Sequence, residues 1–456
     1  MSVSLDKIVT QTNSKIVSGG QDAINTARLA GSVEALETRY SVANLAALPP
    51  AVQNTGRFIY VEDIAAYRYS DGTQWTNDYN TTCVAITSCQ IFAWGESFCG
   101  AVGDGTTLDR CSPVREICSA TNWCQVSSRG FGSAAVNNSG QVWGWGDNRC
   151  GTAGNGTTTS ICSPVREFCS ATDWCQVVNG TAHTLAIKTS GQLWAWGSNA
   201  ISQLGDGTIV PKCSPVRERC SATDWCGVSA GRDFTVAIKT SGQIWGWGDN
   251  RCGPVGDGTL QVRCSPVREF CSATDWCRVS AGRKHTSALK TSGQLWSWGV
   301  ATGGLLGDGT TVIKCSPVRE ISSSTDWCQV SAGGEHTAAI KTTGQLWSWG
   351  CNFLGELGAG TAGFTQRCSP VREFCSATDW CQVSAGNNHS LAIKTTGQLW
   401  AWGGGVGVLG TGTVTTRCSP VREITSSTNW NQVSASFERD RSTAIKIVTS
   451  KGFNEP

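Results

Sequence analysis

The chain has 456 residues, with 36 Lys and Arg against 34 Asp and Glu for a formal charge of +2, and it holds 54 Gly, 21 Trp and 24 Cys. So even a balance excludes the basic field that counterion-driven nucleic-acid binding requires, and the wealth of glycine and indole points to short strands joined by tight turns. Residues 1–10 carry one Lys and no apolar run, so no secretory signal is expected; the apolar stretch 42–52 is short and holds Pro49 and Pro50, so no membrane insertion is expected either.

Residues 1–81 do not repeat and read as an anchoring or oligomerisation module. Ile24, Ala27, Val33, Leu36 and Tyr40 form a helical stripe within 21–40. After the two prolines, residues 57–61, 66–69 and 74–76 read as a small β-meander whose last turn is Ser70-Asp-Gly-Thr73.

From about residue 82 the chain is periodic. Ser-Pro-Val-Arg-Glu begins at Ser112, Ser163, Ser214, Ser265, Ser316, Ser369 and Ser419, and Trp-x-Trp-Gly ends at Gly146, Gly197, Gly248, Gly299, Gly350 and Gly403, with Phe92-Ala-Trp94-Gly95 as a degenerate seventh copy. Within the unit 174–218, four short runs alternate with turn residues. Trp194 and Trp196 share a face at period two, and Thr189-Ser190-Gly191 marks a hairpin before them. Pro215 removes a backbone donor, which places the last run on an outer edge. Each unit is therefore a four-stranded antiparallel blade, and seven such blades must pack around an axis to bury both faces. The array begins mid-unit, at Cys83–Ile86 and Gln90–Trp94, and ends mid-unit, at Trp430–Val433 and Thr443–Lys446. The two halves predict a seventh blade closed by both ends, residues 82–449 forming an all-β seven-bladed propeller and 450–456 a tail.

The run Gly-x-x-His, Ala-Leu-Lys-Thr-Ser-Gly-Gln-Leu-Trp-Ser-Trp-Gly, Leu-Gly-Asp-Gly-Thr and Ser-Pro-Val at 282–318 resembles the RCC1 repeat, over about 82–446. That resemblance implies the propeller fold and leaves function open among exchange factors, inhibitors and binding modules. Residues 44–75 resemble small modules near the N-termini of bacteriophage tail fibres and other virion appendages.

Cysteines recur at fixed offsets. Five units carry a pair flanking Ser-Ala-Thr-Asp/Asn-Trp: Cys118 and Cys124, Cys169 and Cys175, Cys220 and Cys226, Cys271 and Cys277, Cys375 and Cys381. A disulfide across this turn and free packed thiols are both compatible with the spacing. Neither a Cys-x-x-Cys nor accompanying histidines suggest zinc, and no metal or cofactor is expected. His183, His285, His336 and His389 share one place in the repeat, where Phe234 and Phe131 stand in other units, so packing with a backbone hydrogen bond is expected rather than catalysis. Arg115-Glu116 and its copies suggest a ring of inter-blade ion pairs. The Gly-x-Gly-Thr loops lack the Lys of a phosphate loop and the acids of a calcium loop, and read as turns.

Recognition is expected where units differ most. Those places are the loop before the histidine, with Arg232, Asp233, Arg283, Lys284, Glu335, Asn387 and Asn388, and the long loop after Trp-x-Trp-Gly. No nucleophile, base and orienter recur together, so an enzyme is not expected. Many cysteines without an export signal fit a protein made in a host cytoplasm and released by lysis. With the virion-like module, this predicts a phage tail fibre or appendage: a homo-oligomer, such as a trimer, bound to other virion proteins and attaching to a host receptor. The alternative is an intracellular RCC1-like regulator, an exchange factor or a protein-binding scaffold.

Overall fold

The computed structural model describes residues 88–448 apart from 364–365 and 406, together with the backbone of four strand segments that precede them. The chain divides into two compact units, residues 1–83 and 84–456. In the first, Phe58–Val61, Ala66–Ser70 and Trp75–Thr76 form the expected antiparallel meander, and Ser41–Val42 adds a parallel strand beside Phe58–Val61. The helical stripe of 21–40 lies outside the described residues. Among those residues, no helix is long and apolar enough to cross a membrane.

The second unit is seven four-stranded antiparallel blades. In blade 2 the strands run Trp174–Asn179, His183–Lys188, Leu193–Gly197 and Lys212–Arg217, from the axis outward. Blades 1 and 3 to 6 repeat this order, with inner strands starting at Trp123, Trp225, Trp276, Trp327 and Trp380. The outer strand holds Pro215, and its pairing is irregular between Ala195 and Gly197. A missing donor is tolerated there because the strand has no further neighbour.

Blade 7 is the seam. Its inner strands are Trp430–Ala435 and Arg441–Ile447, and its outer strands are Cys89–Gly95 and Arg110–Arg115. The joint pairs seven residues, from Arg441 with Gly95 to Ile447 with Cys89, where the same joint in blade 2 pairs five. The ring is thus zipped at its seam over a longer register than inside a regular blade. Cys83–Ile86 lies outside the described residues, and the second-strand place of this blade belongs to Arg441–Ile447.

Tryptophan joins blade to blade. Trp196 is fully buried, and its Nε1 donates at 2.9 Å to the Thr152 carbonyl of the preceding blade. Within blade 2, Trp174 meets Trp194 edge to face at 6.3 Å. Burying an indole of about 150 to 250 Å² is worth roughly 4 to 6 kcal/mol of transfer free energy. The Gly-x-Gly-Thr loops are turns that cover these indoles: Gly154 sits at φ +70, and a Cβ there would come within 2.6 Å of Trp196 Nε1. Gly410 stands in the same relation to Trp94, closing the circle.

The Arg-Glu pairs do not form a charge ring. Glu167 is 1 % exposed; its carboxylate accepts the backbone N–H groups of Cys169 and Ala171 at 2.5 and 2.7 Å and Trp174 Nε1 at 3.3 Å. Arg166 Nη2 donates instead to the carbonyl of Ser170, at 2.5 Å, where Ser170 has a left-handed φ of 53. Arg and Glu therefore clamp opposite sides of the turn between blades, and a carboxylate from every copy accepts the next tryptophan N–H. The expectation of exposed ion pairs fails because a buried turn has orphan backbone groups that outcompete the neighbouring charge.

Candidate functional site

Inner strand and second strand meet in a short loop, and the seven loops form a collar around one end of the axis. In blades 2 to 6 the glycine that opens the loop lies against the next blade: a Cβ on Gly282 would come within 2.4 Å of the Gly333 carbonyl. Backbone hydrogen bonds then run from loop to loop, Arg283 N to Gly333 O at 3.0 Å, Gly334 N to Gly386 O at 2.9 Å, Asn387 N to Ser436 O at 2.9 Å and Phe437 N to Arg129 O at 3.1 Å. The long loops start at the same end, for example with Asp249 N bonded to Asp233 O at 2.9 Å. Both kinds of variable loop expected to carry recognition are thus brought onto one face.

Of the candidate residues, Arg232, Asp233, Arg283 and Glu335 form one charged cluster. Arg283 Nη1 lies 3.3 Å from Glu335 Oε1, and Arg232 Nε lies 3.5 Å from Asp233 Oδ2. Glu438, from the seam blade, completes it: its Oε1 is 3.5 Å from Arg283 Nε, 3.7 Å from Arg232 Nε and 3.2 Å from Thr181 Oγ1. Its side chain is 9 % exposed, against 39 % for Arg232 and 31 % for Arg283. Glu438 therefore pins the two arginines beneath, and their remaining surface faces out. Burial pushes the Asp233 carboxyl upward despite Arg232 beside it. Lys284 is exposed, and Asn387 and Asn388 are partly so. On the seam side Arg439 stacks over Phe98 and Phe131 at 4.6 and 5.3 Å and pairs with Glu96 at 3.7 Å.

The sequence reading missed Glu438, Arg439 and Arg129. Internal alignment carried the signal. Four residues (437–440) separate Ser436 from Arg441, where two (232–233) separate Gly231 from Phe234, and Arg129 stands where blades 2 to 6 have the opening glycine.

The histidines are structural in a different way from that expected. Thr235 Oγ1 donates to the Gln203 carbonyl at 2.9 Å, so its lone pair accepts His183 Nε2–H at 3.2 Å. His285, His336 and His389 bond the hydroxyls of Thr337, Ser390 and Ser442 alike. The bond is to the next blade's side chain, and it fixes the neutral tautomer; His336 alone adds a backbone hydrogen bond, at Asn387. Burial pulls His183, His285 and His389 down to about 3 and His336 to about 4. The register also corrects the place of Phe131: Gly132, not Phe131, pairs with Gly146 as His183 pairs with Gly197, and in the seam blade Arg441 takes the place.

The paired cysteines lie away from the collar. Cys118, Cys169, Cys220, Cys271 and Cys375 are exposed in the turn between blades. The later members, and Cys328 like them, stand second in the inner strands, and Cys277 and Cys381 Sγ donate at 3.4 Å to the Leu289 and Ile393 carbonyls across the first hairpin, as Cys175 and Cys226 do at 3.3 and 3.5 Å to Ile187 and Ile238. Burial pushes the Cys381 thiol up to about 11.

Against known proteins, residues 79–372 match the model of the RCC1-like domain, and 380–406 match the regulator of chromosome condensation (RCC1) repeat. The ultraviolet-B receptor UVR8 of Arabidopsis thaliana is 32% identical over 71% of this chain and 74% of its own length. RUG3, a mitochondrial RCC1 domain-containing protein of the same plant, is 27% identical over 69% and 77%. The human E3 ubiquitin-protein ligase HERC2 is 25% identical over 67% of this chain, which spans 6% of that protein. Among solved structures, Prp20p of Saccharomyces cerevisiae superposes with a TM-score of 0.70 at 18% identity, covering 80% of this chain and 92% of that one. These relatives are cellular proteins of a plant, of humans and of yeast. They overturn the expectation of a phage tail fibre or appendage, and with it the virion location, the virion partners and the attachment to a host receptor. That expectation rested on some thirty residues before the repeat, whereas the family match covers most of the chain and begins at residue 79. With a family model over more than half its length and the plant receptor at this identity, the chain belongs to the RCC1-like propeller family.

Proposed function

We propose that this chain is a cellular RCC1-like regulator that works as a protein-binding scaffold, with the collar face as its recognition surface. One observation carries the reading. On a scaffold whose blades are otherwise near copies, charged and aromatic side chains that differ from unit to unit collect at a single end, around Arg232, Arg283, Lys284, Glu335, Asn387 and the Arg439–Phe98 stack. Arginine and aromatic anchors on a rigid frame are what dominate protein interfaces. Prp20p is described with binding properties to Gsp1p and histones, which makes proteins the first class of partner to try here.

Binding rather than catalysis follows from the same surface: it offers ion pairs and hydrogen-bond donors, and its buried histidines are neutral and turned to the neighbouring blade. The test is quantitative affinity capture with the wild-type chain, the Arg232→Glu/Arg283→Glu variant and a control charge placed on the opposite hairpins, Ser190→Glu. Partners lost with the collar variant and kept by the control support the reading. Equal capture by all three sinks it. Accelerated nucleotide release from a small GTPase would assign the exchange activity specifically, and a wild-type chain without it leaves the scaffold role.

A further inference from the structure

Beneath the collar the inner strands enclose an axial channel of about 200 Å³. Ser127, Ser229, Ser280, Ser331, Ser384 and Ser434 line it at one level, with Val178 in blade 2. Each serine Oγ accepts the backbone N–H of the following blade: Ala332 N to Ser280, Ala385 N to Ser331 and Ala435 N to Ser384 at 2.9 Å, and Ser128 N to Ser434 at 3.0 Å. A hydroxyl that accepts in this way keeps its own proton to donate. The ring therefore presents donors inward, and no Asp or Glu lines the channel among the described residues.

Arg129 supplies the charge. It leaves the collar where blades 2 to 6 have glycine, crosses to the far side of the ring, and donates from Nη1 to the Ala281 carbonyl at 2.7 Å and Ser229 Oγ at 3.2 Å, and from Nη2 to Ser280 Oγ at 3.4 Å. Phe437 packs against it at 5.9 Å. All these partners are neutral. Its position deep in the molecule pulls it down to about 10, yet it keeps accessible surface and lines the channel. Of five N–H donors, three contacts are accounted for. A cation held by neutral groups, in a chamber lined with further donors, lacks its counter-charge.

We propose that the axial channel is a binding site for a phosphate-class oxyanion, held by the Arg129 guanidinium and the hydroxyls of Ser331, Ser384 and Ser434. Acceptor-only oxygens match this lining, whose charge is the guanidinium, whose serine hydroxyls keep a proton to give, and whose Gln125, Gln329 and Gln382 amide oxygens already accept N–H groups of the following blade. The chamber exceeds the roughly 30 Å³ share of one water several times over, which leaves room for the organic part of a small phosphomonoester as well as for the free ion. The site is separate from the collar surface and stands or falls independently of it.

The experiment is calorimetric titration of the full chain with inorganic phosphate, and in a second arm with phenyl phosphate, in buffers free of other oxyanions. One equivalent of binding is expected. Arg129→Met should weaken it tenfold or more, and Ser384→Val severalfold, because blade 2 already carries Val178 at this level and the fold accepts it. Tighter binding of phenyl phosphate than of phosphate identifies a phosphomonoester as the guest, and the reverse identifies the free ion. Absence of binding by the wild type, with the channel holding water alone, overturns the proposal. Unchanged affinity in Arg129→Met overturns it too. Should that variant fail to fold, Ser331→Val/Ser384→Val decides, with lost binding in support and retained affinity against.

Discussion

Blade 4 and blade 7 share strand order and a buried tryptophan, but they meet their neighbours differently. In blade 4, His285 Nε2 reaches the Thr337 hydroxyl at 2.8 Å, a neutral contact repeated around the ring. In blade 7, Arg441 Nη2 donates instead to the Gly130 and Gly132 carbonyls of blade 1, both at 2.8 Å, while Ser133, the residue equivalent to Thr337, takes its bond from Ser128 Oγ at 2.8 Å. Burial pulls this guanidinium down to about 10. In blades 2, 4, 5 and 6 a histidine makes the joint and in blade 3 Phe234 stands in its place; where the ring closes on an odd first blade, a charged side chain takes over. Repetition makes the frame, and its lapses at Arg129, Gly132, Glu438 and Arg441 make the chemistry near the axis.

That contrast can be broken in steps. Trp196→Ala removes a fully buried indole and one of the two donors to the Thr152 carbonyl, the Thr184 hydroxyl being the other; the expected loss is about 3 to 5 kcal/mol in chemical denaturation. Arg441→Ala should cost about 2 to 3 kcal/mol, since both carbonyls lose charge-assisted bonds, and thermal melts should show it weakening the seam more than any one histidine substitution weakens a regular joint. Glu167→Gln keeps the shape but puts a donor among donors at the turn, for a loss of about 1 to 3 kcal/mol by the same measurement.

Acid tests the regular joints. The four histidines have folded values of about 3 to 4, below the roughly 6.5 of an unfolded chain, so below pH 6.5 the unfolded state takes up protons that the folded one refuses. Their stability is intact above pH 6.5 and is lost as pH falls toward 4. Replacing His183 with Phe, as blade 3 has Phe234, should remove about 1.4 kcal/mol per pH unit from that slope and cost about 1 kcal/mol or less at pH 7. A slope unchanged by this substitution would show that His183 titrates normally. The smallest effect is expected at Lys188, paired with Asp173 at 2.9 Å and lying over Trp174 at 4.9 Å; Lys188→Ala should change stability by about 1 kcal/mol at most.

Strands, blades and seam were legible because they follow from local period and from turn residues. Pro215 and the Trp194–Trp196 spacing settle an edge and a face with no knowledge of the rest of the chain. Contacts across the axis were not legible. Glu438 meets Arg232 and Arg283 from some two hundred and some one hundred and fifty residues away, and no spacing rule connects them. The Arg-Glu copies were misread for a different reason: adjacent opposite charges suggest pairing, while burial and the backbone demand of the turn decide otherwise. The candidate loops were found by asking where copies disagree. The same question, asked of the first and last copies, would also have singled out Arg129 and the longer loop at 437–440.

The seam also sets an order of events in synthesis. Gly95 and its partner Arg441 are 346 residues apart in the chain (441 less 95), so at about 5 to 20 residues per second roughly 17 to 70 seconds pass between the appearance of the two. For that interval the strand Cys89–Gly95 has an unsatisfied edge and its tryptophan, Trp94, has no neighbour to cover it. A nascent ring of this kind keeps that edge and that indole open to pairing with other chains until its last strand arrives.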